Sequence, residues 1–324
     1  MKLKIESAIK PKLCILGGTG FVGHHLADTL IERGYKVKIL TRRRERHRDL
    51  LVLPQVELVE ADVHNPAVLR EQFAGCDAVI NLVAIINENH RGDFRKVHVD
   101  LVGNIIEGCL ASGVTRLLHM SALNGDAQRG KSQYQKTKGQ GEDLAHSAAN
   151  KGLQVTSFRP SIIFGPGDHF FTRFAGLLKT VPLALPLACP DARFAPVFVG
   201  DVVSAFITAL HDRNTIGQRY ELCGPHAYTL QQLVEFTANV LLIHKKIIRL
   251  DDFTSRLQAR IMQLLPGKPL THDNYLTMKL DNICQHALPD FFDLTPTAID
   301  AVVPVYLTDN NERARLGKYR EKHE

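Results

Sequence analysis

Short apolar runs alternate with segments of helical length from the N-terminus onward. The runs at 13–16, 37–40, 56–59, 78–84, 116–120 and 155–159 are rich in Val, Ile and Leu. Each is too short for a helix, so they predict strands. Their near-continuous apolarity implies burial on both faces, and the intervening segments have room for crossover helices. The expected fold is α/β, a doubly wound parallel sheet with helices on both sides. Loop signals thicken at "FGPGD" (164–168) and "VPLALPLACP" (181–190), a turn and an amphipathic helix follow at 223–242, and the regular rhythm stops after Gly224. This predicts a sheet domain from 11–165 plus 196–223 and a smaller C-terminal lobe from 166–195 plus 224–324. The charged tail 311–324 reads as solvated.

The first apolar run breaks into four glycines within seven residues, Gly17, Gly18, Gly20 and Gly23, and helical spacing resumes over 21–32 up to Gly34. The glycines fit Gly18-x-Gly20-x-x-Gly23 or Gly17-x-x-Gly20-x-x-Gly23. A strand before and a helix after make this the Rossmann arrangement, in which free backbone N–H groups at a helix N-terminus receive a pyrophosphate. At the end of the second strand, "KVKILTRRRERH" puts Thr41 and Arg42 where an NAD site carries a carboxylate for the ribose 2′-hydroxyl. Guanidinium groups instead bind a 2′-phosphate through forked, charge-assisted hydrogen bonds. NADP(H) is therefore expected over NAD(H). Five arginines (42, 43, 44, 46 and 48) exceed what one phosphate requires, so a solvated basic loop, a lipid-headgroup patch or a nucleic-acid patch stays open beside it.

Tyr134 and Lys138 lie four apart in a helical segment and share a face. An ammonium that also holds a ribose lowers a phenol's pKa and lets it exchange a proton with a substrate. Composition adds limits. The 324 residues, 44% hydrophobic, suffice for a large domain with a lobe, and the net charge of +6 is modest. Six dispersed cysteines with no CxxC pair suggest neither zinc nor a disulfide framework, which reads as a reducing, cytoplasmic setting. No membrane span or export signal is visible. No metal-ligand spacing and no helix-turn-helix or RNA-binding signature appear, so neither a metal nor a nucleic-acid partner is expected.

Seven motifs then occur in order: "GGTGFVG" (17–23), "EADVHNP" (60–66), "VINLVA" (79–84), "HMSALN" (119–124), "YQKTK" (134–138), "FRPSIIFGPGD" (158–168) and "PVFVGDVVSAF" (196–206). With them the chain resembles an extended or atypical short-chain dehydrogenase/reductase of the epimerase/dehydratase superfamily over nearly its whole length. "VHVDLVGN" and "PGKPLTHDNYLTMKLDN" are most similar to the branch holding the nicotinamide-nucleotide-binding accessory subunit of respiratory complex I and its bacterial relatives. The resemblance implies Gly17, Gly20, Phe21, Val22 and Gly23 at the pyrophosphate. It implies Arg42 and Arg43 at the 2′-phosphate, and Asp62 and Val63 at the adenine. Leu82, Val83 and Ala84 would line the ribose and nicotinamide side, with Pro160 and Ser161 at the nicotinamide end. Tyr134 and Lys138 take the catalytic pair's places, Lys138 also holding the ribose.

Active relatives carry a Ser or Thr after the fifth strand; the register favours Ala122 at that position, which would leave one hydrogen-bond donor missing, with Ser121 one residue earlier. Ser121 is the catalytic candidate, with a strand-end residue as the alternative. His98 reads as a packing histidine or as one that orients backbone near the Tyr134 helix. Asp168, His169 and Arg173 should border the substrate cleft, with loop capping equally open for Asp168. Asp201 reads as a helix N-cap, and Asn274, Tyr275 and Lys279 as cleft lining or lobe packing. Phe253, Leu257, Ile261 and Leu264 or Leu265 fall near one helical face beside Arg256 and Arg260. That face is expected to cap a core, with docking on a membrane surface or a protein partner as the alternative.

Three functions follow. The first is an NADP(H)-binding protein of the accessory-subunit type, acting in assembly, docking or sensing, in the cytoplasm or peripherally on the inner face of a membrane. The second is an active NADP-dependent reductase, epimerase or dehydratase whose unknown small-molecule substrate would be a quinone-pathway intermediate or a nucleotide sugar. The third is a membrane-surface or nucleic-acid binder acting through the arginines.

Overall fold

The computed structural model describes residues 10–47, 50, 53 and 55–308. Arg48 and the tail 311–324 lie outside them. In chain order the first elements are β1 (Lys12–Leu16), α1 (Phe21–Glu32), β2 (Lys36–Thr41), β3 (Val56–Glu60), α2 (Pro66–Phe73) and β4 (Ala78–Asn81). Next come α3 (Leu101–Ser112), β5 (Arg116–Met120), α4 (Gln133–Ser147), β6 (Gln154–Pro160), β7 (Ile163–Phe164) and α5 (Phe171–Thr180). There follow β8 (Ala184–Leu187), β9 (Arg193–Phe194), β10 (Val197–Phe198), α6 (Val199–His211), β11 (Arg219–Leu222) and β12 (Tyr228–Thr229). Then come α7 (Leu230–Val240), β13 (Lys246–Arg249), α8 (Asp252–Met262) and α9 (His272–Thr277), and residues 299–308 are helical as well.

Seven strands form one sheet in the order β11-β6-β5-β4-β1-β2-β3, and β1 to β6 pair in parallel. This is the expected Rossmann-like α/β fold. Strand order reverses at β1, between β2 and β4, so the carboxyl ends of β1 and β4 form the topological switch point at which open α/β sheets bind ligands. The strands there are buried along almost their whole length, as their apolar runs require.

The chain makes two compact units, one of Met1–Ser121, Thr137–Phe158 and Val203–Tyr220, the other of Ala122–Lys136, Arg159–Val202 and Glu221–Glu324. In the first, Leu69 and Phe73 of α2 and Leu101, Ile105 and Cys109 of α3 share one apolar core with Leu117 and Val155 of the sheet. Gly108 lets the helices come close at that contact, since a Cβ there would lie 3.0 Å from the Phe73 ring. Arg116 is buried without a carboxylate. Its guanidinium donates to the carbonyls of Gln154 (3.0 Å) and Ala209 (2.7 Å) and to the hydroxyls of Thr156 (2.8 Å) and Thr215 (2.9 Å). Burial lowers its pKa to about 10.

The second unit packs α5 and α7 around Phe164, Phe171, Leu178, Leu187, Phe194, Leu233 and Val303. Small sheets pair β7 with β10, β9 with β12, and β8 with β13. Asp168 is buried and accepts the Thr172 N–H at 3.0 Å, so it caps the start of α5, and the Tyr306 hydroxyl also donates to it. Arg173 donates to the Pro269 carbonyl. Asn274 caps α9 reciprocally with Thr271, and the Tyr275 hydroxyl and Lys279 ammonium both meet Asp252. All of these contacts lie within the second unit, where Asp168 and Tyr275 are buried and Arg173 and Lys279 are exposed.

Three expectations are corrected. Asp201 is not an N-cap: it lies in the first turn of α6 and accepts the Thr297 N–H (2.7 Å) and hydroxyl (3.0 Å), tying a distant segment to the helix. The cysteines do form one disulfide, Cys223–Cys284. The fold closes 61 residues of chain there, where Glu221 accepts the N–H groups of Gln285 and His286, a proximity that spacing alone does not reveal. The apolar face of the 253–265 segment does not cap a core. The buried residues of α8 are Ser255 and Ala259, while Phe253, Leu257 and Ile261 are exposed. Among the described residues no helix is long and apolar enough to cross a membrane.

Candidate functional site

The turn from β1 into α1 is tight because its glycines leave no room for side chains. Gly17 has φ +79°, and a Cβ on it would lie 3.0 Å from the backbone of Leu82 and Val83. A Cβ on Gly23 would meet the Gly17 carbonyl oxygen at 2.3 Å. Gly20 stands at the N-cap of α1, donates to the Gly17 carbonyl at 3.0 Å, and has no side chain to cap the helix. No acidic residue occupies the first turn, so that helix N-terminus suits an anion. Phe21 and Val22, which open the helix, are both half-buried.

Leu82, Val83 and Ala84 continue β4 over this turn. The Leu82 N–H donates to the Leu16 carbonyl at 2.9 Å, and the Val83 N–H to Asn81 Oδ1 at 3.1 Å. Asp62 and Val63 follow β3, with Asp62 exposed and its carboxylate accepting the His64 N–H at 3.0 Å. Arg42 and Arg43 follow β2 and are exposed, and Arg42 helps to lower the pKa of His64 behind burial and Lys96. The structure thus gathers the glycine turn and the ends of β2, β3 and β4 along the carboxyl edge of the sheet.

A buried polar layer lies at the end of β4 and β5. Asn81 Oδ1 is occupied by Val83, so its Nδ2 faces His119 Nδ1 at 3.2 Å and donates to it. The His119 proton therefore sits on Nε2, which is buried and has no hydrogen-bond partner among the described residues. Burial holds this imidazole well below its usual pKa. His98 Nε2 accepts the Ile85 N–H at 3.2 Å, so Nδ1 carries the proton and donates to Thr137 on α4 at 3.0 Å. Burial first, then the Lys138 charge, lowers the His98 pKa to about 3. His98 thus fixes backbone and the α4 helix at once. Gly141 is required beside it, since a Cβ there would lie 1.9 Å from the His98 carbonyl oxygen.

Lys138 is buried on α4 and donates from Nζ to the Met120 carbonyl at 2.6 Å. Burial lowers its pKa to about 8, against the opposing pull of Glu142. The Ser121 hydroxyl is buried with no partner among the described residues, while the Ser121 N–H donates to the Phe158 carbonyl at 2.7 Å. An orphaned hydroxyl of this kind carries a desolvation cost that a ligand would relieve.

In the second unit, α4 begins with two caps. Ser132 and Gln135 form a reciprocal pair, with the Gln135 N–H on Ser132 Oγ (3.1 Å) and the Ser132 N–H on Gln135 Oε1 (3.2 Å). The Asp273 carboxylate accepts the N–H groups of Gln133 (2.7 Å) and Tyr134 (3.1 Å). Tyr134 is thereby fixed one turn before Lys138, and burial raises its phenol to about 12. Pro160 ends β6, its carbonyl accepting the Leu123 N–H at 3.0 Å. Ser161 is turned toward Asn282, 2.6 Å from Oδ1 and 3.0 Å from the carbonyl oxygen, so its hydroxyl proton is already engaged.

The sequence reading missed Asn81, His119, Asp273 and Asn282. Polar residues inside the apolar runs "AVIN" and "RLLHM" were a usable signal for the first two. Nothing local marks Asp273, 140 residues from its partner, or Asn282.

Residues 13–223 match the model of the NAD dependent epimerase/dehydratase family. A mouse protein, NADH dehydrogenase [ubiquinone] 1 alpha subcomplex subunit 9, mitochondrial, is 28% identical over 297 residues, covering 88% of this chain and 77% of its own. The Caulobacter vibrioides ceramide reductase is 29% identical over 247 residues, 74% of each chain. Among solved structures, the Thermus thermophilus UDP-glucose 4-epimerase in complex with NAD superposes with a TM-score of 0.61 at 21% identity, covering 82% of this chain and 98% of that one. With two thirds of its length inside one family model and the sheet order to match, the chain belongs to the NAD dependent epimerase/dehydratase family.

Proposed function

We propose that the protein binds NADP(H) as a short-chain dehydrogenase/reductase-like member of this family, in the manner of the complex I accessory subunit. Family membership carries a nicotinamide dinucleotide as the cofactor. The observation that carries the finer reading is the uncapped α1 N-terminus walled by Gly17, Gly20 and Gly23, with Arg42 and Arg43 rather than a carboxylate following β2. The glycine turn with Phe21 and Val22 would receive the pyrophosphate, Arg42 and Arg43 the 2′-phosphate, and Asp62 and Val63 the adenine. Leu82, Val83 and Ala84 would flank the ribose and nicotinamide, with Lys138 on the ribose and Pro160 and Ser161 toward the nicotinamide. The relatives named as complex I subunits support a protein complex as the setting.

A nicotinamide supplies hydride transfer when bound. Tyr134 would then move the proton, Lys138 would favour the phenolate, and the orphaned Ser121 hydroxyl would hold the reacting oxygen. The Ser121 hydroxyl favours turnover. Against it stand a Tyr134 phenol pushed up to about 12 and a Lys138 ammonium engaged on Met120. Binding is accordingly the primary reading.

The test is titration of the Arg42→Ala/Arg43→Ala protein with NADPH and NADH. Loss of charge-assisted contacts worth about 1.5–3 kcal/mol each should remove most of the preference for NADPH and leave NADH affinity nearly unchanged. Unaltered preference would overturn the assignment of these arginines. For turnover, a Tyr134→Phe protein that matches wild type on a substrate would remove Tyr134 from the chemistry.

A further inference from the structure

Helix α8 turns its apolar arc away from the elements of its own unit on which it is seated. At 100° per residue, Phe253, Leu257 and Ile261 fall within one arc of about 80°, and Leu264 and Leu265 in the turn that follows add to the exposed apolar surface. Their exposures are 73, 47, 55, 81 and 48%. The opposite side, Ser255 and Ala259, is buried and seats the helix on its own unit. The Cys189 N–H donates to Ser255 Oγ at 3.0 Å, and Gln258 donates to the Pro186 carbonyl at 3.2 Å. Asp252, at the start, receives Tyr275 and Lys279. The helix is thus anchored by its small and polar residues, and its largest apolar side chains form an outward ridge.

Arg256 and Arg260 run along one margin of that ridge and are exposed. No carboxylate occurs from 253 to 268, where the charged residues are Arg256, Arg260 and Lys268. We infer that this ridge docks on the surface of an anionic lipid bilayer, with Phe253, Leu257, Ile261, Leu264 and Leu265 among the acyl chains and Arg256 and Arg260 at the headgroups. A low overall hydrophobicity, a one-sided apolar arc and cations at its edge are what an interfacial helix requires. A narrow convex ridge suits a soft medium. A stable protein interface needs roughly 800 Å² on each partner and a complementary face, which the edge of one three-turn helix and the turn after it do not supply.

The chain has no tryptophan, so Phe253→Trp installs a single reporter at an exposed site. The full-length protein is mixed with vesicles of phosphatidylcholine alone and of phosphatidylcholine with phosphatidylglycerol. The inference expects flotation with the anionic vesicles, weakening as salt is raised, and a blue shift in the emission of the introduced indole. Phe253→Ser/Leu257→Ser, made at exposed positions with an unchanged melting curve, should lower partitioning at least about tenfold. Arg256→Glu/Arg260→Glu should do the same at low salt, whereas Arg44→Glu/Arg46→Glu and saturating NADPH should not. Equal flotation with neutral and anionic vesicles, or retention by the serine variant, overturns the inference. Self-association that the serine variant abolishes, without vesicle binding, overturns it in favour of a second copy as the occupant.

Discussion

Burial sets the proton affinity of the histidines beneath the site. His98 titrates near 3 in the folded protein against about 6.5 when unfolded, and His119 is lowered in the same sense. Between those values the unfolded chain binds more protons, so stability is full above about pH 6.5 and is lost as pH falls. For His98 this should cost about 2 kcal/mol on going from pH 7 to 5. Urea melts at the two pH values check this, and His98→Gln should make the loss shallower. At Gly23 the constraint is steric rather than electrostatic: with the Gly17 carbonyl 2.3 Å from any added Cβ, Gly23→Ala should lose dinucleotide binding and lower the melting temperature together. The glycines were legible because backbone that must approach backbone admits no other residue. The hydrogen bonds of His98 were not, because Thr137 comes from a helix 39 residues away.

At the scale of elements, short apolar runs mark the strands because parallel strands are buried on both faces, and the expected spans for β1 to β6 match within a few residues. The start of α4 is different. Its local cap, Ser132 with Gln135, follows a spacing visible in "SQYQ", but Asp273 arrives from the far end of the chain. Asp273→Ala should therefore destabilise the start of α4 by about 1–2 kcal/mol and disturb the placing of Tyr134. Hydrogen exchange at Gln133 and Tyr134 would register it, as would a thermal melt. The apolar period of α8 was equally legible, but a period fixes only that a face exists. Which side it turns toward is set by Ser255 and Ala259, whose small side chains let the helix lie close on β8 and the Cys189 backbone.

For the whole molecule, the pairing of Cys223 with Cys284 is the feature that sequence hid most completely, since six scattered cysteines offer no pattern. Closing 61 residues of chain restricts the unfolded state by up to about 4 kcal/mol. The denatured, unreduced protein should present four reactive thiols, those of Cys14, Cys76, Cys109 and Cys189, and six after reduction. Six without reduction would refute the bridge. Arg116 is legible only at this scale too, because its acceptors come from β6, the end of α6 and the loop before β11. Arg116→Met, which removes the buried donor from all four acceptors, should cost about 3 kcal/mol in a denaturant melt. These ties hold the sheet on whose carboxyl edge the glycine turn and the Arg42–Arg43 pair meet. The direct test of that edge is calorimetric titration of the wild-type protein, stripped of carried nucleotide, with NADPH and with NADH. The account predicts NADPH tighter by about tenfold or more, as a charge-assisted phosphate site requires. Equal affinity, or a preference for NADH, would contradict it.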